Sequence, residues 1–539
     1  MQDTDVKDIL KRHSGLKTDR GPWENHWQEL KELVRPNTSN FTGASSQGDH
    51  RTLRIYDGTA LWALEQFAAG LNSFLTNPSS RWFNLSVMDE ELVRIPEVLY
   101  WLEIVSDVIF RTYSSPTSSF NPAIHECYLD IGAFGTTVLY QDYDRQTGDI
   151  YFKTFPLADC VIAENHQGIV DTLFRSVTMT ERQVIQEFVD LPPKMAEKSR
   201  TKPDLDREWT IIHAVFPRKD RDTEKLVSTH MRYASLWICE ETQELIKESG
   251  FQDFPYHAPR WTKLAGEMYG RSPAMTCLPD IKMVNQMSFT VIKAAQKVVD
   301  PPLMAPDDGF MLPIRTSPGA LIFYEAGLNE KDRLVPLETK GNIQIGLEMM
   351  NQRRDHILKS FFVDWLIREK KRERQTTTEI QDDREEMLRQ MAPMLGRLQS
   401  EMHGPMISRT YGLLVRTKRV PPPPTVLAGR ELKLEYVSAA SRAQFSTKAM
   451  SIQRFIQDIA PMASIQPDIM DNIDSDQFAS EMASLRDVSR KIIRPMKDVA
   501  QLRQERNKKQ AQAEQAAIGR ERAAASKDTS EAMLNMREQ

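Results

Sequence analysis

Cysteine is scarce and dispersed in this chain. The four residues, Cys127, Cys160, Cys239 and Cys277, form no Cys-x-x-Cys pair in 539 positions, so zinc-ribbon and dithiol redox patterns are missing and buried free thiols are expected. No apolar run approaches the roughly 20 residues that span a bilayer, so no membrane segment is expected. The first residues, Met1-Gln2-Asp3-Thr4-Asp5, are acidic and lead into no apolar stretch of the signal type, which predicts a chain that stays in the cytoplasm of the cell that makes it. Equally missing are a Walker-type phosphate loop, Gly-x-Gly-x-x-Gly, His-Glu-x-x-His and Gly-x-Ser-x-Gly. These absences argue against an NTPase, a nucleotide oxidoreductase, a zinc protease or a serine hydrolase, and no cofactor is implied. A large excess of positive charge is also lacking. Seventy Lys and Arg stand against 75 Asp and Glu, a formal net charge of -5, so any contact with nucleic acid must be local.

What is present is a long, hydrophilic, patterned chain, with 40% hydrophobic and 27% charged residues and a mean hydropathy of -0.48. Its length allows two to four units at roughly 100 to 200 residues each. Residues 5–34, 53–76, 91–113 and 121–131 carry helical periodicity, with stops at Arg35-Pro36 and Asn77-Pro78. From 135 to 260 the texture becomes β-rich, in runs such as 137–140, 150–155, 169–177 and 209–216, separated by turn-forming stretches at 144–149 and 165–168. Thr180 and Gln183 predict a capping box between strands. Residues 278–299 and 342–369 predict two long helices that bracket a Pro- and Gly-punctuated β and turn module. Another helical series at 377–416 contains Pro393 and Gly404-Pro405 and should be kinked or broken there. Pro421 to Pro424 form a stiff spacer, 431–437 alternates as a strand, and the rest is helical. The fold class is α+β, mainly helical.

Two basic features invite a functional reading. Lys370, Lys371, Arg372 and Arg374 form a short turn between helical patterns, with Thr376 and Glu379 at capping-box spacing immediately after. On the helix 278–299, Lys282, Lys293 and Lys297 fall within about 60° of one another at 100° per residue, with Gln286 between them. Each feature reads either as a solvated surface or as the lining of something polyanionic. Other candidates are weaker. Asp468, Asp471, Asp474 and Asp476 lack the glycine and spacing of a calcium loop and read as turn and cap carboxylates, although a metal-dependent nuclease would use such a cluster. His125, Glu126 and Asp130 read as polar helix faces, and Cys277 has no activating neighbour. A helical nucleic-acid-binding or scaffolding protein, with the tail from Gln501 as its arm, is the other alternative.

A series of short words in fixed order completes the pattern. They are Gly21-Pro22-Trp23-Glu24-Asn25-His26-Trp27, Ile55-Tyr56-Asp57-Gly58-Thr59-Ala60, Ala68-Ala69-Gly70-Leu71, Leu75-Thr76-Asn77-Pro78 with Arg81-Trp82-Phe83, Tyr269-Gly270-Arg271-Ser272-Pro273-Ala274, Leu278-Pro279-Asp280-Ile281-Lys282, Thr376 to Ile380, Leu395 to Glu401, and Pro421 to Pro424. In order and spacing the chain, from about 20 to 506, resembles the portal, or head-to-tail connector, proteins of short-tailed bacteriophages. The resemblance implies a subunit with a wing (1–277, β-rich from about 135), stem helices at 278–299 and 342–369, and a clip at 300–341. A tunnel loop at 370–375 follows, then a kinked wing helix and return strand at 376–440, a crown at 441–500 and a C-terminal helical tail at 501–539.

It further implies a dodecameric ring at one capsid vertex of the virion, assembled in the host cytoplasm, without enzymatic activity, through which double-stranded DNA enters and leaves. The implied partners are the terminase large subunit, tail adaptor or head-completion proteins, the major capsid protein and scaffold or internal core proteins. Lys370, Lys371, Arg372, Arg374, Lys282, Lys293 and Lys297 would then touch the DNA backbone.

Overall fold

The computed structural model describes residues 3–43, 48, 51–89, 92, 95–144, 146–188, 191–201, 204–222, 224–225, 227–299, 303–304, 335–336, 343–366, 390–427, 432–436, 439–463, 475–486, 499, 501–512 and 515. In chain order, α1 (Asp3–Leu33) and α2 (Thr59–Leu75) precede β1 (Phe83–Val87), α3 (Pro96–Ser114) and α4 (Phe120–Phe134). The β-rich stretch holds β2 (Val138–Tyr143), β3 (Ile150–Phe155), β4 (Cys160–Glu164), β5 (Val170–Thr180), α5 (Glu181–Glu187), α6 (Pro193–Thr201), β6 (Glu208–Pro217), β7 (Tyr233–Cys239), β8 (Glu244–Phe251) and β9 (Tyr256–His257). Then come α7 (Pro273–Val299), β10 (Leu303–Met304), β11 (Val335–Pro336) and α8 (Ile343–Ser360). Residues 390–398 are helical and run through a π segment, Gln399–His403, into α9 (Gly404–Arg416). β12 (Leu432–Tyr436), α10 (Ala439–Ala463) and α11 (Ser475–Leu485) follow. The fold is mixed and mainly helical.

The chain divides into two units, 1–82 with 108–420, and 83–107 with 421–539. In the first, β4 to β8 form one antiparallel five-stranded sheet in simple sequential order, and β3, β2 and β9 form a second. One face of the larger sheet buries Val161, Phe174, Ile212, Ala214, Leu236 and Ile238 against Val6, Ile9, Leu10 and Leu16 of α1. Its other face buries Trp209, Ile211 and Cys239 against Val184, Phe188 and Met195 of the helical insert. This two-faced burial explains why β6 reads as a nearly continuous apolar run rather than an alternating one. In the second unit β1 pairs with β12, and the Trp101 indole N–H donates to the Pro421 carbonyl at 3.0 Å.

Several expectations meet the structure directly. The capping box at Thr180 and Gln183 forms with both of its hydrogen bonds, and the 144–149 turn closes the β2–β3 hairpin. Other boundaries move, for physical reasons. α2 begins at Thr59, not at 53, because Asp57 Oδ1 accepts the Thr59 N–H at 3.0 Å and ends the preceding turns. α7 begins at Pro273, five residues early, because Ser272 Oγ accepts the Met275 N–H at 3.0 Å as its cap and proline suits a first helical position. Pro279 is then carried inside the helix.

The helix expected to run from 342 to 369 instead ends at Ser360. Phe362 turns left-handed at φ 57, which lets Phe361 pack on Phe67 and Phe362 on Trp261, at ring separations of 6.2 and 6.0 Å. A single helical turn, Val363–Leu366, follows. The helix with Gly404-Pro405 continues through that pair, and the π segment immediately before it absorbs the hydrogen bond that Pro405 cannot donate.

Candidate functional site

The two long helices α7 and α8 pack antiparallel, and a polar clamp from the loop before α2 fixes them. Ile281 and Val284 of α7 and Met350 and Ile357 of α8 are buried. Gly346 of α8 lies beside Val291 of α7, where a Cβ would make ordinary contact at 3.6 Å from the valine methyl. Asn285 Oδ1 accepts the Tyr56 N–H at 2.7 Å and the Asp57 N–H at 3.3 Å, while its Nδ2 donates to the Arg54 carbonyl at 2.9 Å. Asp57 accepts from Arg354 Nε at 3.0 Å and a terminal nitrogen at 2.6 Å, and from Ser288 Oγ at 3.4 Å. Burial works to raise the Asp57 carboxyl, but the hydrogen bonds from Thr59 and Arg354 outweigh it and hold the group below its ordinary range. Nearer the start of α7, Asp280 accepts from Arg353 at 3.2 Å and from His356 Nδ1 at 2.6 Å.

The basic residues of α7 are placed as follows. Lys282 donates to Glu29 of α1 at 2.6 Å, with both side chains about half exposed. The Lys293 ammonium lies 4.2 Å from the centre of the Phe289 ring. Lys297 is exposed in the last turn, where a cation suits the helix dipole. The turn of Lys370, Lys371, Arg372 and Arg374 lies outside the described residues. The apolar side expected on α7 is only partly covered within one chain. Ile281 and Val284 are buried, Val291 is half-buried, and Ala295 and Val298 are exposed.

The weaker candidates resolve individually. Asp468, Asp471 and Asp474 lie outside the described residues, and Asp476 forms a two-bond pair with Arg503 at 2.6 Å each. His125 Nε2 approaches Glu65 at 3.8 Å. Asp130 is not a solvated helix face: it is buried against Arg35 and accepts from Thr137 Oγ1 at 3.3 Å. Burial pushes its carboxyl up to about 6 despite the Arg35 cation. Cys277 is buried, and burial raises its thiol to about 12. Among the described residues, no group of three or more His, Cys, Asp and Glu is arranged to hold a metal ion.

The residues that organise this part of the molecule are ones that sequence patterns do not single out. Arg260 is 1% exposed, and its guanidinium donates to Glu164 at 2.7 Å, the Met268 carbonyl at 3.1 Å, the Gly168 carbonyl at 2.7 Å and both oxygens of Glu401 at 2.8 and 3.1 Å. Every N–H of the fork is used. Burial works against the charge, but the Glu401 and Glu164 contacts win and raise its pKa. Glu401 belongs to the π segment, so the irregular turn is what delivers its carboxylate. Beside it, His403 Nε2 pairs with the Tyr128 hydroxyl at 3.2 Å, which in turn pairs with Thr76 at 3.1 Å. Gln141 links Thr410 at 2.7 Å to His257 at 3.0 Å. A buried arginine or histidine carries no periodic signal. Most of its partners lie about ninety to nearly three hundred residues away, so local reading cannot find it.

Several of the short words quoted above now have physical roles. The Tyr269-Gly270-Arg271-Ser272-Pro273 word joins the β-rich part to α7. Gly270 accepts a close backbone approach from Gly135, and its N–H donates to Thr136 Oγ1 at 2.8 Å. Trp23 and Trp27 of the first word pack on Tyr269 at ring separations of 5.9 and 5.0 Å. Asp57 and Gly58 form the clamp and the start of α2.

This chain, mixed and mainly helical with a clamped helical hairpin in which these words serve as joints, is of the class that connects bacteriophage heads to tails. The model of the bacteriophage head to tail connecting protein family matches residues 6–493, and the chain belongs to that family. It is 30% identical to a protein named "Probable portal protein" of Bordetella phage BPP-1 over 96% of this chain and 94% of that one. It is 29% identical to the "Portal protein" of Salmonella phage epsilon15, over 98% and 96% respectively.

Proposed function

We propose that this chain is a portal subunit, forming a homo-oligomeric ring, a dodecamer, at one vertex of the virion capsid. Double-stranded DNA passes through the ring during packaging and ejection, and the terminase and the tail adaptors dock on it, with capsid and scaffold or core proteins around it. The observation that carries this reading is the end-to-end similarity to two proteins named as portals, with no large segment left over. In that reading α7 and α8 are the stem, the module between them is the clip, the helix ending in α9 belongs to the wing, and the residues from about 441 form the crown.

The acidic balance of the chain suits a duplex that must slide, since each phosphate neutralised adds affinity that would retard it. Lys370, Lys371, Arg372 and Arg374, which follow the second stem helix in sequence, would supply localised contacts that position the backbone without reading bases. Repeated twelvefold, four cations become about 48 around one duplex. Of the α7 lysines, Lys282 already holds Glu29 and Lys293 the Phe289 ring.

Electron microscopy of the purified protein tests the reading: end-on particles should be rings with a central hole. A persistent monomer under assembly conditions, with no ring in capsids, would end it. Replacing the four cations of the turn by Ala should leave the ring intact and shorten or destabilise the packaged genome. Unchanged genome length and retention would remove the turn from the mechanism.

A further inference from the structure

The hairpin of α7 and α8 carries two outward stripes of opposite sign. On α7, Lys282, Lys293 and Lys297 lie within about 60° with Gln286 among them. On α8, Glu348, Gln352 and Asp355 lie within about 60° in the same way. All seven are exposed, and each stripe lies opposite the buried side of its own helix, Ile281, Val284 and Ser288 for α7 and Met350 and Ile357 for α8. Neither Glu348 nor Asp355 forms an ion pair among the described residues. Apolar side chains flank both stripes: Met283 is 43% exposed on α7, and Ile345 and Met349 are 55% and 46% exposed on α8.

Contacts inside the hairpin fix the height of each charge. Gly346 meets Val291, Met350 meets Ser288, and His356 meets Asp280, so each residue of α7 stands level with a definite residue of α8. On that scale Asp355 lies one residue, about 1.5 Å, from the level of Lys282. Glu348 stands near the level of Phe289, four residues or about 6 Å from Lys293, an offset that the two long side chains bridge. Lys359 ends the α8 stripe beyond Lys282, near the level of Cys277. Copies related by rotation about an axis along the hairpin present equal heights to each other. A basic face and an acidic face at one height are then complementary head to tail, which is the heterologous arrangement that closes into a ring.

We infer that the α7 stripe of one copy docks on the α8 stripe of the next, with Lys282 facing Asp355, Lys293 facing Glu348, and Met283, Ile345 and Met349 covered beside them. The occupant is a second copy of this chain, and the inference rests on the ring reading above. It assigns the α7 lysines to the neighbour rather than to DNA, and the Glu29 pair of Lys282 becomes part of a three-member network.

Charge reversal tests it on the full chain. K282E/K293E and E348K/D355K should each reduce the fraction of protein in rings at least tenfold by electron microscopy and native mass spectrometry, with the monomer's thermal midpoint only slightly lowered, since the Lys282–Glu29 pair and the Lys293–Phe289 contact that the first variant loses are at the surface. The fourfold variant, with both faces reversed, should form rings again, and so should a mixture of the two double variants. Single reversals at Lys293 and Glu348 give the same reading if a double variant fails to fold. Rings unaffected by either reversal, or not rescued by the fourfold variant, overturn the inference. Intact rings with impaired packaging in the α7 variant alone overturn it in favour of DNA. A wild-type chain that forms no ring removes the portal reading itself, and this contact with it.

Discussion

Glu401 and Arg260, 141 residues apart in sequence, meet through three hydrogen bonds, two from the guanidinium and one from the Arg260 backbone N–H at 2.9 Å. The arrangement couples the π segment of a helix to the strand-to-helix junction that precedes α7. Because the guanidinium has no spare donor and no access to water, either partner left alone is costly.

Glu401→Ala should therefore destabilise the first unit by about 3–5 kcal/mol, since it leaves a buried cation with fewer partners. Glu401→Gln keeps one acceptor and should cost less. Urea unfolding followed by tryptophan fluorescence measures both, and equal midpoints for Ala and wild type would show that the cluster contributes nothing.

Gly135 and Gly270 form a second long-range joint. A Cβ on either would come within 2.4 Å of the other's carbonyl oxygen, and Gly135 also has φ +77. Gly270→Ala and Gly135→Ala should each cost about 2–4 kcal/mol by forcing the backbones apart. Limited proteolysis and thermal melting should show the loss. Gly396→Ala, with open space around its Cβ position, serves as the neutral control.

Stability should fall on acidification from about pH 6.5. Burial lowers the imidazoles of His213, His257 and His403 to about 3 and that of His13 to about 4, from 6.5. Between those values the unfolded chain binds protons that the folded chain does not, so lower pH favours unfolding. Asp130 acts in the opposite sense, because its folded carboxyl takes up a proton near 6 rather than 3.8. Four imidazoles less one carboxyl leave about three protons, or up to about 4 kcal/mol per pH unit around pH 5. Urea midpoints measured across pH 4.5 to 7.5 check this, and a flat profile would show that the histidines remain open to protons.

Asp57→Ala should loosen the hairpin without unfolding the sheets. Arg354 and Ser288 lose a shared acceptor, and the loop that grips Asn285 loses its turn. A cost of about 1–3 kcal/mol is expected, with faster hydrogen exchange confined to α7, α8 and the first turn of α2. Exchange raised equally in β5 to β7 would contradict a local clamp.

Local chemistry made much of this molecule legible. The capping box at Thr180, the 144–149 turn and the apolar stripe of α7 were readable because their causes lie within a few residues. The five-stranded sheet was partly readable from the runs at 169–177 and 209–216, whereas β4 and β7 are short apolar runs that periodicity cannot tell from buried helix, and β8 has a mixed pattern and exists because β7 pairs with it. β1 could not be found, because its partner β12 lies some 350 residues on and, among the described residues, neither strand has a third neighbour. The break at Phe362 was hidden because two adjacent phenylalanines look like helix stripe until Phe67 and Trp261 compete for them. The lysines of α7 were visible, but their surroundings, Glu29 and Phe289, needed the fold.

The four native cysteines are all buried, and burial raises the thiols of Cys127, Cys160 and Cys277 to about 12. Thiolate is the reactive form, so these sites are slow toward alkylating reagents at neutral pH. A single cysteine introduced at an exposed position such as Lys297 or Gln352 would thus stand alone in its reactivity. Fluorophores and cross-linkers could be attached there in the otherwise native chain, and neighbouring hairpins could be measured against each other without first stripping the core of its sulfur.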